Sequence, residues 1–237
     1  MADSYSSTVQ LKGEGVTLDA FVSRPLAEGN HPGLIVIQEW NGVVDHIKEV
    51  TIRFARQGYV AIAPDLYHGD IARSPDQAMR LMGGLADPQL VKELSASVAY
   101  LREQGSPRVG VIGYCLGGRV SLLLACHDRD LSACAIYYGS PVSRELSEKQ
   151  PAHLVDLVGN INCPVLGIYG EEDAGIPLEV VGRLRDALQK AGKSAAIHTY
   201  PGAQHAFFND TNPDRYHAEA SRDAWEKTLA FLATNLK

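Results

Sequence analysis

Five short runs of almost purely apolar residues constrain this chain more than any other feature. They lie at 33–38 (Gly-Leu-Ile-Val-Ile-Gln), 59–63, 108–112, 133–137 and 164–168, with a sixth, more polar run at 195–200. A run that is apolar at every successive position buries both faces, as inner strands of a parallel sheet do. Helical patterning fills the intervals. Asp45 reads as an N-cap for a helix through Ile47, Val50, Phe54 and Ala55 to Gly58, and further helices are expected at 75–82, 87–104 and 116–126. Pro177 can start a helix reaching Ala191. Asn212-Pro213 has the cap and first-turn chemistry to open a last helix, apolar at Ala220, Ala224, Leu229, Phe231 and Leu232. Before all of these, 8–11 and 16–23 flank Gly13-Glu14-Gly15 as an antiparallel hairpin. Strand and helix alternate without repeat, linker or composition break. The expectation is one α/β domain over 1–237, with a mostly parallel sheet covered by helices on both faces and an N-terminal antiparallel hairpin.

Composition narrows the partners. A net charge of −6, with no run of five or more like charges, argues against a surface that neutralises a phosphate backbone, so nucleic acid is not expected. No stretch reaches the ~18 apolar residues of a membrane helix, and the N-terminal MADSYSST lacks the basic and apolar regions of a secretory leader. Cys115, Cys126, Cys134 and Cys163 are too few for a disulfide framework and show no zinc spacing. The chain reads as a cytoplasmic monomer with no metal and no nucleotide or redox cofactor.

Sites in parallel sheets gather at the C-terminal ends of strands. After the run 108–112 comes Gly113-Tyr114-Cys115-Leu116-Gly117-Gly118, a glycine–nucleophile–glycine elbow with cysteine as the nucleophile. The turn from strand to helix is tight enough to require small neighbours, and the helix N-terminus under the sulfur favours thiolate. In elbow enzymes the acid and then the histidine follow the nucleophile. The loop after 164–168 carries Glu171, Glu172 and Asp173. Asp173 lies furthest round the turn, before Gly175 and Pro177, and is the expected orienting acid, with the two glutamates as solvated charges. The loop after 195–200 carries His205, the expected base; His68 also follows a strand but precedes the nucleophile and breaks the order. The oxyanion hole would use the backbone N–H of Leu116 and, from the loop after 33–38, that of Trp40. Glu39 sits in that same loop, where its charge opposes a developing oxyanion unless it is turned away or protonated. From the residues alone it reads equally as a surface glutamate.

Together, Gln38-Glu39-Trp40, Gly113-Tyr114-Cys115-Leu116-Gly117-Gly118, Gly170-Glu171-Glu172-Asp173-Ala174-Gly175 and His205-Ala206-Phe207 resemble the dienelactone hydrolase (carboxymethylenebutenolidase) family of α/β-hydrolases over nearly the whole chain. The resemblance implies a Cys115–His205–Asp173 triad, with Glu39 holding the resting thiol and taking its proton when substrate binds. It also implies Tyr137 as a pocket tyrosine. Family members that act on dienelactone grip the substrate carboxylate with arginines. One of these positions, four residues beyond the histidine, is Asn209 here, and in the segment before 87–104 the candidates are Arg73 and Arg80. The implied substrate is a small ester or lactone with a good leaving group, cleaved through a thioester. A general carboxylesterase or thioesterase on the same triad, a thiol-based redox protein using Cys115, and a ligand-binding protein without turnover are the alternatives.

Overall fold

The computed structural model describes residues 3–143 and 145–237. It contains one eight-stranded sheet: β1 (Ser4–Gly13), β2 (Val16–Pro25), β3 (Gly33–Ile37), β4 (Val60–Pro64), β5 (Val109–Tyr114), β6 (Ala133–Tyr137), β7 (Val165–Gly170) and β8 (Ala195–Tyr200). The strands lie in the order β1-β2-β4-β3-β5-β6-β7-β8. β1 and β2 form the antiparallel hairpin, and β2 joins β4 antiparallel. From β4 to β8 every pairing is parallel. The doubly apolar runs are the inner strands β3, β4, β5, β6 and β7, whose residues are all buried.

Successive residues of each inner strand feed opposite cores. Ile35, Ile37, Val109, Val111 and Ile136 face one layer, formed by α3 (Asp87–Glu103), α4 (Leu116–His127) and α5 (Leu178–Lys190). Leu34, Val36, Ile112, Tyr114 and Ala135 face the other, formed by α1 (Asp45–Arg56) and α6 (Ala218–Leu236). The remaining helix, α2 (Pro75–Gly84), stands over the end of β4 with Ser74 as its cap, the hydroxyl accepting from Gln77 N–H at 3.3 Å. At about 25 cal/mol per Å² of apolar surface, these two cores are the main source of the fold's stability. No helix among the described residues is long and apolar enough to cross a membrane.

The structure departs from the sequence reading at three element ends. The hairpin strands are longer than 8–11 and 16–23, because the polar start of β1 pairs along β2 and Ser6 Oγ donates to Ser23 Oγ at 3.0 Å. Asp45 is the first helical residue of α1 rather than its cap; Val44 occupies the cap position with no side-chain bond. Asn212-Pro213 opens no helix. The chain there makes successive turns, Asn212 N–H to Asn209 O and Arg215 N–H to Asn212 O. α6 begins five residues later than that signal, where the His217 ring nitrogen accepts from Ala220 N–H at 3.2 Å.

Candidate active site

Cys115 stands between β5 and α4 with φ 56° and ψ −114°, a backbone state that L-residues rarely adopt and that costs about 1–3 kcal/mol. Two close backbone approaches hold it there. A Cβ on Gly113 would collide with Gly117 O and with Ser121 Oγ, and one on Gly117 would collide with the carbonyls of Ile37 and Gln38. The first approach makes the elbow tight. The second brings the end of β3, and therefore the Glu39–Trp40 loop, against the first turn of α4. Cys115 N–H is tied to Tyr137 O at 3.0 Å, and Arg119 N–H closes the helix back onto Cys115 O at 3.3 Å. As the first residue of α4, Leu116 has an N–H with no intrahelical acceptor.

The loops after β7 and β8 are clasped together. Glu172 N–H donates to Ala203 O at 3.0 Å, Glu171 N–H donates to Tyr200 O at 3.0 Å, and Gly170 packs on Ala203 O too closely for a Cβ. This clasp sets Asp173 and His205 facing each other. His205 Nδ1 lies 2.6 Å from Asp173 Oδ2, and Nε2 lies 3.1 Å from Cys115 Sγ. Asp173 is 3% exposed, and its second oxygen accepts the N–H groups of Gly175 at 2.8 Å and Ile176 at 3.0 Å. Burial works against the charged imidazole, but the hydrogen bonds to Asp173 and Cys115 outweigh it, so the pKa of His205 is raised. An imidazolium beside the sulfur is the counter-ion a thiolate needs.

Glu39 is buried, 4% exposed, and does not touch the sulfur through its hydrogen bonds. Its Oε2 accepts from Asn209 Nδ2 at 2.7 Å and its Oε1 from the Tyr138 hydroxyl at 3.5 Å. Among the described residues no hydrogen bond joins Glu39 to the sulfur: both carboxyl oxygens have other donors, and the sulfur is within hydrogen-bond distance of His205. Desolvation raises the Glu39 pKa, and its contacts with Asn209, His205 and Tyr138 only partly counter that. The reading of Glu39 as a surface glutamate is excluded.

Tyr137 is not in the pocket. It is buried under α6, where its hydroxyl donates to Ala224 O at 3.0 Å and lies 2.7 Å from Thr228 Oγ1. Tyr138 is the tyrosine of the cleft, with φ 38° and its ring 5.2 Å edge-on from the His205 ring. Sequence reasoning missed it because an inner strand buried on both faces gives no parity signal. The usable clue is that Tyr138 is the first residue beyond a strand end. Tyr67 was also missed; its hydroxyl donates to Trp40 O at 3.1 Å and braces the half-buried Trp40. Ala72 and Asn41 exchange two bonds, at 3.0 and 3.1 Å, which ties the segment leading to the exposed Arg73 to the rim of the β3 loop. Arg80 is exposed on α2. Among the described residues, neither guanidinium has a hydrogen bond or ion pair with Cys115, His205 or Glu39. Asn209 stands in direct contact with Glu39. His68 lies 3.0 Å from Glu93.

The sequence profile of the dienelactone hydrolase family matches residues 18–236. The chain belongs to the dienelactone hydrolase family, and so is a hydrolase of ester bonds. A Salmonella typhimurium protein named "Putative carboxymethylenebutenolidase" is 36% identical over 231 residues, covering 94% of this chain and 85% of its own. A crystal structure titled as a putative dienelactone hydrolase of Klebsiella pneumoniae superposes with a TM-score of 0.91 at 36% identity, over 98% of this chain and 99% of its own. An acylaminoacyl peptidase of Pyrococcus horikoshii superposes with a TM-score of 0.78 at 15% identity, over 100% of this chain and 42% of its own. That last likeness concerns the α/β-hydrolase fold alone. The expected fold class and family are both upheld.

Proposed function

We propose that this dienelactone hydrolase family member cleaves an activated ester or lactone through a thioester on Cys115, with His205 as base and acid and Asp173 as its orienter. The observation that carries the reading is the unbroken line Asp173 Oδ2–His205 Nδ1 at 2.6 Å and His205 Nε2–Cys115 Sγ at 3.1 Å, on three loops that follow three parallel strands. The proton of the thiol passes to Nε2, and sulfur attacks the ester carbonyl. The oxyanion is received by the N–H groups of Leu116 and Trp40, brought near each other by the contact of Gly117 with the end of β3. The carbon–oxygen bond breaks, and the leaving oxygen takes the proton from Nε2. Water, deprotonated by His205, then adds to the thioester, releases the carboxylic acid and restores the thiol.

Cysteine chemistry selects the leaving group. The tetrahedral adduct can expel either thiolate or alkoxide, and thiolate departs more readily than an ordinary alkoxide. Enol esters, enol lactones and aryl esters leave competitively and are the substrates expected. Glu39, a carboxyl of raised pKa beside the pair, is placed to exchange a proton within the cleft as the charge on sulfur and imidazole changes. The whole chain works as one catalytic domain on a small molecule.

A thiol-exchange role is disfavoured by the other cysteines. Cys126, Cys134 and Cys163 are buried, and burial pushes the thiols of Cys126 and Cys163 up to about 12. The test is hydrolysis of phenyl acetate and an enol lactone by Cys115→Ala. A loss of about 10³-fold or more in kcat/KM with unchanged circular dichroism is expected, and retained turnover would place the nucleophile elsewhere.

A further inference from the structure

The two donors assigned to the oxyanion are backbone groups, so their aim depends on what holds the neighbouring peptide planes. β3 and β5 run parallel with Ile37 level with Gly113, and Trp40 and Leu116 each lie three residues further on. Leu116 is fixed by the helix it starts. Trp40 belongs to a loop and needs other ties. The plane that carries its N–H also carries the Glu39 carbonyl, which accepts from Gly42 N–H at 3.3 Å, a long bond. The next plane, which carries the Trp40 carbonyl, is held from outside. The Tyr67 hydroxyl donates to Trp40 O at 3.1 Å. With the planes on both sides of its Cα held, Trp40 cannot rock, and its N–H keeps one direction.

The loop after β4 is arranged to hold Tyr67 for that contact. The Asp65 carboxylate accepts Tyr67 N–H at 3.0 Å and Gly69 N–H at 2.7 Å, which closes the turn that presents the ring. The ring is buried against Gly42, where a Cβ would come within 3.3 Å of it. The same two loops are joined again on either side. Gln38 Oε1 accepts from Leu66 N–H at 3.2 Å, and Asn41 and Ala72 exchange their two bonds. Residues 38, 40 and 41 are thus each tied to the β4 loop, and Tyr67 makes the tie to Trp40 itself. Burial pushes the pKa of the phenol up, so the hydroxyl stays a donor.

We propose that Tyr67 is a positioning residue of the hydrolysis: by holding the Trp40 carbonyl, its hydroxyl aims the Trp40 N–H at the oxyanion. The proposal rests on Cys115 as nucleophile. A misaimed donor matters only once negative charge has formed on the substrate oxygen. Tyr67→Phe should therefore lower kcat and kcat/KM for phenyl acetate by the same factor, about tenfold, with KM unchanged. Phenyl trifluoromethyl ketone reports on the same donor at equilibrium. The sulfur adds to its carbonyl carbon and leaves an oxyanion, so its Ki should rise by about the same tenfold. Alkylation of Cys115 by iodoacetamide is the contrast: sulfur displaces iodide, no oxyanion forms, and the rate should not change. A tyrosine that only shaped the elbow or tuned the thiol would move all three. Wild-type kcat in Tyr67→Phe, a change in KM alone, or a loss in kcat matched by an equal loss in alkylation rate overturns the proposal. If Tyr67→Phe does not fold by circular dichroism, Asn41→Ala, which cuts the neighbouring tie to Ala72, is held to the same measurements. The nucleophile is tested apart, on the wild type. Enzyme fully alkylated at Cys115 that still hydrolyses phenyl acetate defeats Cys115, whereas a blocked wild type beside an unimpaired Tyr67→Phe defeats only the positioning role.

Discussion

Two carboxylates are buried at the mouth of the same cleft, and they are held in opposite ways. Asp173, in the loop after β7, accepts two backbone N–H groups on one oxygen and the His205 ring on the other. Among the described residues, Glu39, in the loop after β3, is met by hydrogen bonds only from the side chains of Asn209 and Tyr138, and burial raises its pKa. Fixed backbone dipoles and a charged ring favour an anion whatever the side chains do; two neutral side-chain donors stabilise a carboxylate far less. Asp173 is thus held to orient the His205 ring, whereas burial favours the protonated form of Glu39. The same residue chemistry yields two roles because the strand-end loops supply different donors.

The largest effect that could break this contrast is expected at Asp173. Asp173→Asn leaves the shape but offers the ring an amide, so the wrong tautomer is favoured and kcat should fall by about 10⁴-fold, measured on an aryl ester. A loss no greater than that of Glu39→Gln would erase the distinction. Glu39→Gln should lower kcat/KM by roughly 10²-fold, the scale of a positioned proton-exchanging group. It should also stabilise the fold. The raised pKa means that folding favours protonated Glu39, so the wild type loses stability as pH rises above the ordinary carboxylate value toward the raised one. The isosteric neutral variant escapes that loss. Its melting temperature should match wild type near pH 4 and exceed it at pH 8, by about 2–4 °C for each kcal/mol regained. A variant less stable at pH 8 would mean that Asn209 and Tyr138 fully compensate a Glu39 anion. Asn209→Ala is the mildest change. It strips one donor from Glu39, so it should cost about 1–3 kcal/mol by thermal unfolding at pH 8 and less than tenfold in kcat.

Much of this arrangement was legible in the residues. The inner strands could be read because they are apolar at every position, and Cys115 and Asp173 because each belongs to a loop after such a strand, with His205 following them in order after the more polar edge strand β8. The elbow could be read because its glycines answer to backbone collisions that only glycine avoids, as Gly113 and Gly117 do. What could not be read depends on side chains meeting across the fold. Tyr137 and Tyr138 are chemically identical neighbours, and only the left-handed turn at Tyr138 sends one into the cleft while the other lies under α6. The state of Glu39 depends on Asn209, 170 residues away in sequence. The false helix start at Asn212 shows the converse: a local cap signal was overridden because the chain between His205 and α6 is drawn into turns that deliver Asn209 to Glu39 and Asp210 to Arg53, the latter pair at 2.6 Å.

The proposed hydrolysis passes the acyl group through the sulfur of Cys115. Mixing enzyme with a slowly turned-over aryl ester, quenching in acid during the steady state and mapping the peptides by mass spectrometry tests it directly. One acyl mass is expected on the peptide carrying Cys115, removable by neutral hydroxylamine and absent from Cys115→Ala. Steady release of product with that peptide unmodified, and with Cys115→Ala still turning over, would contradict it.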